Sequence, residues 1–297
     1  MRIGIIVGLC VLLAGCAKSE APADGSKPEA AARAAVAAPA VAIANRPEPP
    51  AMLNMDSIGE LTKPDQFQGQ LRGGTRIEDP SLYPASVYSK LGPQFCTATL
   101  IGPSTLLTAG HCARTGTVAN FKLNGQPRTA VCTRESHYPA DPKADYALCL
   151  VDGAAVAGVP FERVNTDPSS LKIGAQLRLT GFGCTKADGT GGNDGVYMVG
   201  DLDKIVALPS GTNNDIVTSG DTALCFGDSG GPAFLISGSQ RWVVSVNSRA
   251  GQLGETLNDR SYLESTSAPI AVAFLTGWAQ DHSQKICGLQ AGPAGCR

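Results

Sequence analysis

The sequence predicts an all-β domain that ends in a single α-helix. Glycine and proline are abundant, with 35 and 20 residues, and aromatic residues make up only 5% of the 297-residue chain. Such a composition is typical of short strands joined by many turns. From Leu71 onward, short apolar runs alternate with Gly, Pro, Asn and Asp, and helical spacing occurs only near the C-terminus. A chain of this length has room for one all-β domain of about 200–250 residues and an extension.

Five apolar runs in this region predict strands, namely residues 86–88, 97–100, 146–151, 176–179 and 242–246. A helix is predicted over residues 270–282, because Ile270, Phe274 and Trp278 recur at helical spacing. Ser267 and Pro269 precede this run and are typical start signals of a helix.

The N-terminus differs from the rest of the chain. Arg2 precedes an apolar run at residues 3–13, which is too short to span a bilayer but suits the core of a signal peptide. The run ends in Leu13-Ala14-Gly15-Cys16, which resembles the bacterial lipoprotein signal box. The resemblance implies cleavage after Gly15 and a lipid on Cys16. The alternative is an ordinary signal peptide, cut near Gly15, with an incidental cysteine.

These features predict a signal peptide at residues 1–15 and an Ala/Pro-rich tether at residues 16–50. The tether has almost no bulky side chains to bury, so we expect it to be solvated and to span at most roughly 100 Å. Residues 51–70 are expected to form an N-terminal extension or propeptide, and residues 71–297 a folded domain. Because Ala17 is not an aspartate, we expect lipid anchoring at the outer membrane of a bacterial envelope, with secretion as the alternative.

The charge of the chain is nearly balanced. Lys and Arg number 24 against 26 Asp and Glu, for a formal net charge of −2. A nucleic-acid-binding domain would show a basic stripe and a high isoelectric point. We therefore expect no nucleic-acid partner.

Three separated strings carry residues suited to nucleophilic catalysis. They are Thr108-Ala109-Gly110-His111-Cys112, Asp145-Tyr146-Ala147-Leu148 and Gly227-Asp228-Ser229-Gly230-Gly231-Pro232. A serine hydroxyl needs an adjacent base to become a nucleophile, and a histidine with a pKa near the operating pH suits that task. A buried carboxylate then holds the imidazole in the required tautomer. His137 and His282 are the other histidines, and their contexts are typical of surface residues.

The order His111, Asp145, Ser229, and the strings around these residues, resemble a trypsin-like (chymotrypsin-fold) serine peptidase over roughly residues 71–284. The resemblance implies two packed antiparallel six-stranded β-barrels followed by the C-terminal helix. It also implies a monomer that hydrolyses protein or peptide substrates without a cofactor. The main-chain N–H groups of Gly227 and Ser229 would form the oxyanion hole.

Eight cysteines lie in the folded domain at residues 71–297, and an exported chain favours disulfides. The sequence alone allows 105 pairings of eight cysteines. The resemblance implies the bridge Cys96–Cys112, and we further propose Cys132–Cys149, Cys184–Cys225 and Cys287–Cys296. A zinc site is the competing interpretation, but no pair has the Cys-x-x-Cys spacing, and we expect no metal.

The resemblance also implies how the domain would be activated. Family members are often cut so that a new N-terminal ammonium pairs with the aspartate before the serine, here Asp228. Leu71 stands at the corresponding new terminus, but Gln70 precedes it instead of Arg or Lys. Either another protease cuts after Gln70, or Asp228 has a different partner.

The implied specificity pocket differs from that of trypsin. Ala223 lies at the expected pocket base, where cleavage after Arg or Lys requires an aspartate. The run that contains Ser245 and Asn247 matches the pocket wall, and Asn247 is expected to narrow the entrance. Arg260 would approach the base if the following Tyr262 aligns with the family.

The competing functions are a non-catalytic binding module of the same fold and a structural lipoprotein capped by this domain. The complete set of His111, Asp145, Ser229 and Gly227 favours the endopeptidase over both.

Overall fold

The computed structural model of the protein describes residues 71–186, 188–253, 256–289 and 292–297. The predicted signal peptide, tether and extension, with Cys10 and Cys16, lie outside the described residues. Among the residues it does describe, no helix is both long enough and apolar enough to span a membrane.

The described residues form fourteen strands and one α-helix. The strands are β1 (Thr75–Arg76), β2 (Ser86–Leu91), β3 (Gln94–Gly102), β4 (Thr105–Thr108), β5 (Val118–Leu123), β6 (Gln126–Arg134), β7 (Ala147–Val151), β8 (Arg163–Val164), β9 (Gln176–Gly181), β10 (Met198–Ala207), β11 (Asp215–Ser219), β12 (Pro232–Ser237), β13 (Gln240–Leu253) and β14 (Thr256–Ser265). The helix α1 spans Pro269–Asp281, and short 3-10 turns occupy Pro80–Leu82 and Pro168–Ser170.

The first barrel closes through antiparallel pairs in the order β2-β3-β4-β7-β6-β5. The strands β2 and β5 have the two-residue period of a half-buried sheet. In β5, for example, Ala119, Phe121 and Leu123 are buried and the residues between them are exposed. The central strand β4 is buried along its whole length.

The second barrel has the order β10-β11-β14-β13-β12-β9, and pairing between β9 and β10 closes it. The short strand β1 adds to β10 in antiparallel orientation, and β8 runs parallel to β13. The prediction of two six-stranded antiparallel barrels is therefore confirmed. Four of the five predicted strands lie within β2, β3, β9 and β13, and the fifth, residues 146–151, covers β7.

The C-terminal helix begins one residue before the predicted start and buries Ala271, Leu275, Trp278 and Ala279. Pro269 occupies the first turn, where its missing N–H costs nothing. Ser267 was expected as a start signal, but the N-cap residue is Ala268, which makes no side-chain cap. The Ser267 hydroxyl lies instead 2.9 Å from that of Ser265.

Four disulfides bridge the described cysteines: Cys96–Cys112, Cys132–Cys149, Cys184–Cys225 and Cys287–Cys296. These are the pairings proposed from the sequence. The first ties β3 to the loop after β4, and the second is a cross-strand pair of β6 and β7. The third ties the chain after β9 to the segment before Ser229. Three of the four bridges therefore brace loops or strands next to the predicted catalytic residues.

Candidate active site

The first barrel supplies a hydrogen-bonded pair of His111 and Asp145. His111 lies in the loop after β4, and Asp145 precedes β7, the strand that pairs with β4. The Nδ1 atom of His111 is 2.8 Å from Asp145 Oδ2, and the main-chain N–H of His111 donates to Oδ1 at 2.7 Å. Asp145 is only 2% exposed, whereas the imidazole keeps 22% of its side-chain surface open. The carboxylate therefore orients a ring whose other edge is available to solvent.

The second barrel completes the surroundings of Asp145 through Ser248. The Ser248 hydroxyl donates to Asp145 Oδ2 at 2.6 Å. The sequence pattern assigned Ser245 and Asn247 to a pocket wall and did not indicate Ser248. A β-bulge lies at this point, because Asn247 pairs with Leu263 and Arg249 pairs with Tyr262, so Ser248 is an extra residue in β13. The bulge breaks the alternation of side chains and points Ser248 toward Asp145.

The sequence pattern predicted that Asn247 narrows the entrance of a pocket, but the structure places Asn247 in the interior. It is completely buried, and its side-chain amide donates to the carbonyls of Thr180 (2.8 Å) and Asp228 (3.2 Å). Ser245 is also buried and pairs with Ser265 in the sheet. Asn247 therefore holds the Ser229 loop against β9.

Thr97 of the first barrel holds the loop that carries Ser229. Its main-chain N–H donates to Ser229 O at 2.8 Å, and its hydroxyl donates to Gly227 O at 2.9 Å. Gly230 packs against the His111 loop so closely that a Cβ there would lie 2.9 Å from the main-chain nitrogen of Ala109. These contacts bring the Ser229 loop against the loop of His111. No motif in the sequence indicated that Thr97 contacts the Ser229 loop, although Thr97 directly follows Cys96, a predicted bridging cysteine.

Gly227 has the backbone conformation that an oxyanion hole needs. Its φ is +100°, which side-chain-bearing residues rarely adopt, and a Cβ would collide with the side-chain oxygen of Asn193. In the described part of the chain, the N–H groups of Gly227 and Ser229 donate to no protein acceptor. Two donors therefore remain available beside the Ser229 side chain.

The electrostatics of the pair suit a general base. Burial by itself lowers the pKa of His111, but the charge and hydrogen bond of Asp145 outweigh it and raise the pKa above its ordinary value. Burial raises the pKa of Asp145, and the contacts from His111 and Ser248 reverse that effect and lower it. Asp145 therefore stays ionised while His111 can accept a proton.

A buried charge network lies behind Ser248. Arg249 donates to Asp215 at 2.6 Å and to Glu264 at 3.0 Å, and Lys143 lies 3.2 Å from Asp215. Burial raises the pKa of Glu264 to about 9, and the neighbouring Asp215 adds to this effect. The positive charge of Arg249 opposes this rise. The network anchors the residue that follows the bulge, and nothing in the sequence motifs indicated it.

Asp228 is buried between backbone donors. It accepts the N–H groups of Gly183 and Cys225, each at 2.8 Å. Burial raises its pKa to about 7, and these two donors only partly offset that rise. No cation of the described residues contributes to this pKa.

Leu71, the predicted new N-terminus, is completely buried in the core of the second barrel. The next residue, Arg72, pairs through its backbone with Ala223.

Ala223 lines a small pocket of about 200 Å³ with Arg72, Asp221, Asn258 and Asp259. Ala223 is only 2% exposed, and the Arg72 guanidinium donates to the carbonyl of Asn258. Arg260, expected from the sequence to approach the base, is exposed and is not among the residues that line this pocket. The cation beside Ala223 is therefore Arg72.

The remaining histidines have structural partners. The His137 ring lies 2.8 Å from Glu135, and the His282 ring stacks on Trp278 at 4.3 Å between centroids. Cys96, His111 and Cys112 form a group with possible metal-ligating atoms within 4.8 Å of one another. Both sulfurs of this group are in the disulfide, so it offers no thiolate to a metal.

Comparison with known proteins agrees with this geometry. A mouse (Mus musculus) protein, transmembrane protease serine 11E, is 28% identical over 220 residues, which cover 63% of this chain and 51% of the mouse protein. The chain thus spans about half the length of that relative. The model of the Trypsin family matches residues 71–263, more than half of the chain and both barrels. The chain therefore belongs to the trypsin family of serine proteases.

Proposed function

We propose that this protein is a serine endopeptidase whose catalytic residues are His111, Asp145 and Ser229. The observation that carries the proposal is the buried Asp145 carboxylate, which orients His111 beside the Ser229 loop with its two available N–H donors. Proteins and peptides are the substrates that a trypsin-family domain implies. The alternative is a binding module of the same fold without catalysis.

In the proposed mechanism, Ser229 Oγ attacks the carbonyl carbon of the scissile bond, and His111 Nε2 takes the hydroxyl proton. Asp145 keeps its charge and stabilises the imidazolium. The carbonyl oxygen becomes an oxyanion that accepts hydrogen bonds from the N–H groups of Gly227 and Ser229. His111 returns the proton to the leaving amine, and the same steps with water then hydrolyse the acyl-enzyme.

Replacing Ser229 with Ala should abolish hydrolysis and leave the fold intact, because the change removes the nucleophile and almost no packing volume. His111→Ala should cost about as much, since triad members act as a unit. Peptide hydrolysis and labelling by a fluorophosphonate probe are the measurements. His137→Ala is the matched control and should keep full activity. A wild-type protein that neither reacts with the probe nor cleaves peptides would instead favour the binding module.

We propose that cleavage after Gln70 activates the protein and that the new Leu71 ammonium pairs with Asp228. Without a cation, Asp228 binds a proton in the folded state up to about pH 7, whereas its ordinary pKa is 3.8. The folded chain then binds more protons than the unfolded chain in this range. Asp228 by itself therefore lowers the free energy of unfolding as pH rises, by at most about 1.4 kcal/mol per pH unit.

We expect this slope in the uncut Ser229→Ala chain and a flatter one after cleavage to Leu71, because the ammonium lowers the pKa of Asp228. Urea unfolding at pH 4.5, 5.5 and 6.5 measures both slopes. The buried Glu264 contributes equally to both forms, so their difference isolates Asp228. Asp228→Asn should flatten the slope of the uncut chain as well. Equal slopes in the cut and uncut chains would contradict the proposed ion pair.

We propose that the enzyme cleaves poorly after Arg and Lys and prefers small or medium aliphatic residues. Ala223 supplies no counter-charge, and leaving a desolvated guanidinium without its partner typically costs about 2–5 kcal/mol. Arg72 lines the same pocket, together with the carboxylates of Asp221 and Asp259. An acidic residue is the second candidate, because a guanidinium binds a carboxylate bidentately.

A positional-scanning peptide library measures this preference. We expect the same profile in Arg260→Ala, because that side chain is exposed and outside the pocket beside Ala223. Dominant cleavage after Arg or Lys would refute the proposal. In that case Asp221→Asn and Asp259→Asn would identify the acid that reaches the substrate.

We propose that a lipid on Cys16 tethers the domain at a bacterial envelope, on the basis of the Leu13-Ala14-Gly15-Cys16 box and the Ala/Pro-rich segment after it. Intact-mass analysis should find an acylated mature chain that begins at Cys16 and fractionates with membranes. Cys16→Ser should release the domain. A different mature N-terminus, or a Cys16→Ser protein that fractionates unchanged, would favour the secreted alternative.

A further inference from the structure

A groove of about 810 Å³ crosses the outer face of the first barrel, away from the residues used by the proposed mechanism. It is built from four adjacent strands, β3, β2, β5 and β6. Cross-strand pairing places Phe95 opposite Lys90, Lys90 opposite Asn120, and Asn120 opposite Thr129. Directly paired residues point to the same face of a sheet, so this row forms a continuous outward surface.

One end of the groove exposes an aromatic pair. Phe95 is 42% exposed, and its ring stacks on that of Tyr88 with centroids 5.0 Å apart and planes 5° apart. Tyr88 also packs on the buried Phe182 at 5.6 Å. The stack is therefore supported from below and keeps its apolar face open to solvent. Covering such a face is favourable by about 25 cal/mol per Å² of apolar area.

The groove is basic from the aromatic pair outward. Lys90 lies beside Phe95, with its Nζ 5.9 Å from the centroid of that ring, and Lys122 and Arg128 line the groove farther along. None of the three forms an ion pair with a described residue. Asp152 is the one carboxylate among the lining residues, and it accepts the Thr129 hydroxyl at 2.6 Å. The lining thus carries an excess of positive charge within a chain whose net charge is −2.

The groove begins close to the candidate active site. The Tyr88 hydroxyl donates to the carbonyl of Asn193 at 2.8 Å, and the side chain of Asn193 lies directly against Gly227. Burial raises the pKa of Tyr88, and the negative charge of Asp194 at this end adds to that rise. The excess of positive charge therefore lies at Lys90, beside Phe95, and farther out at Lys122 and Arg128. A polypeptide held near Gly227 could continue across Tyr88 and Phe95 to this basic end.

We propose that this basic groove, defined by Tyr88, Phe95, Lys90, Lys122 and Arg128, binds an extended acidic segment that carries an aromatic or large aliphatic side chain. The apolar side chain packs on the Phe95 face, and the carboxylates pair with the three cations. The identity of the segment as part of a cleaved substrate rests on the proposed function; the binding itself does not. The groove selects substrates by a segment distant from the scissile bond.

Binding can be measured without catalysis in the Ser229→Ala chain. The probe is a fluorescein-labelled ten-residue peptide of Asp and Glu with one central Phe, followed by anisotropy. Lys90→Glu combined with Lys122→Glu should weaken binding at least tenfold, and Phe95→Ser about threefold or more. The matched control is Lys172→Glu with Lys204→Glu, two exposed lysines of the second barrel, and should change affinity less than twofold.

Several outcomes would overturn the proposal. The first is that no binding is detected at millimolar peptide. The second is that the control pair Lys172→Glu with Lys204→Glu loses as much affinity as the groove pair. The third is that Phe95→Ser leaves the affinity unchanged while a sulfated polysaccharide binds as tightly as the peptide. In active protein, Lys90→Glu with Lys122→Glu should leave kcat/KM on a four-residue chromogenic substrate unchanged. A wild-type protein without peptidase activity whose Ser229→Ala chain still binds the peptide would contradict the proposed function and support the proposed binding groove. An active wild-type protein whose Ser229→Ala chain fails to bind the peptide would contradict the groove and support the proposed function.

Discussion

The rest of the site depends on how the buried carboxylate of Asp145 is satisfied. Removing a charge from water costs several kcal/mol unless hydrogen bonds replace its hydration. Here the main chain and ring of His111 supply two donors from the first barrel, and Ser248 supplies a third from the second. Asp145 is therefore satisfied only when both barrels are folded and packed together. Correct orientation of the imidazole is thus a consequence of correct barrel packing.

The bulge in β13 makes this arrangement possible. Residues 243–248 of β13 are all buried, so the extra residue changes the direction of the side chains of Asn247 and Ser248 and not their burial. Asn247 then binds the carbonyls of Thr180 and Asp228, and Ser248 reaches Asp145. Arg249 is held by Asp215 and Glu264 immediately afterwards. One backbone irregularity thus connects the Ser229 loop, Asp145 and a buried ion network.

The Ser229 loop shows how far local sequence determines a site. Gly227 is needed where φ is +100° and Asn193 approaches closely, so the glycine in the motif has a local cause. Thr97, which lies 132 positions before Ser229 in the chain, holds this loop against the loop of His111. Its amide and hydroxyl reach Ser229 and Gly227 only because β3 of the first barrel faces the loop before β12 of the second.

The sequence by itself determined the all-β class, the C-terminal helix, the pairing of the cysteines through family resemblance, and the candidates His111, Asp145 and Ser229. These depend on short strings whose chemistry and turn geometry are local. Only the tertiary structure decided that Ser248 contacts Asp145, that Asn247 is buried, and that Arg72 lies beside Ala223. Periodicity cannot reveal a bulge, because the side-chain direction in a strand is set by its pairing with neighbours. Likewise, the basic groove exists only because four strands bring Phe95, Lys90, Lys122 and Arg128 to one surface.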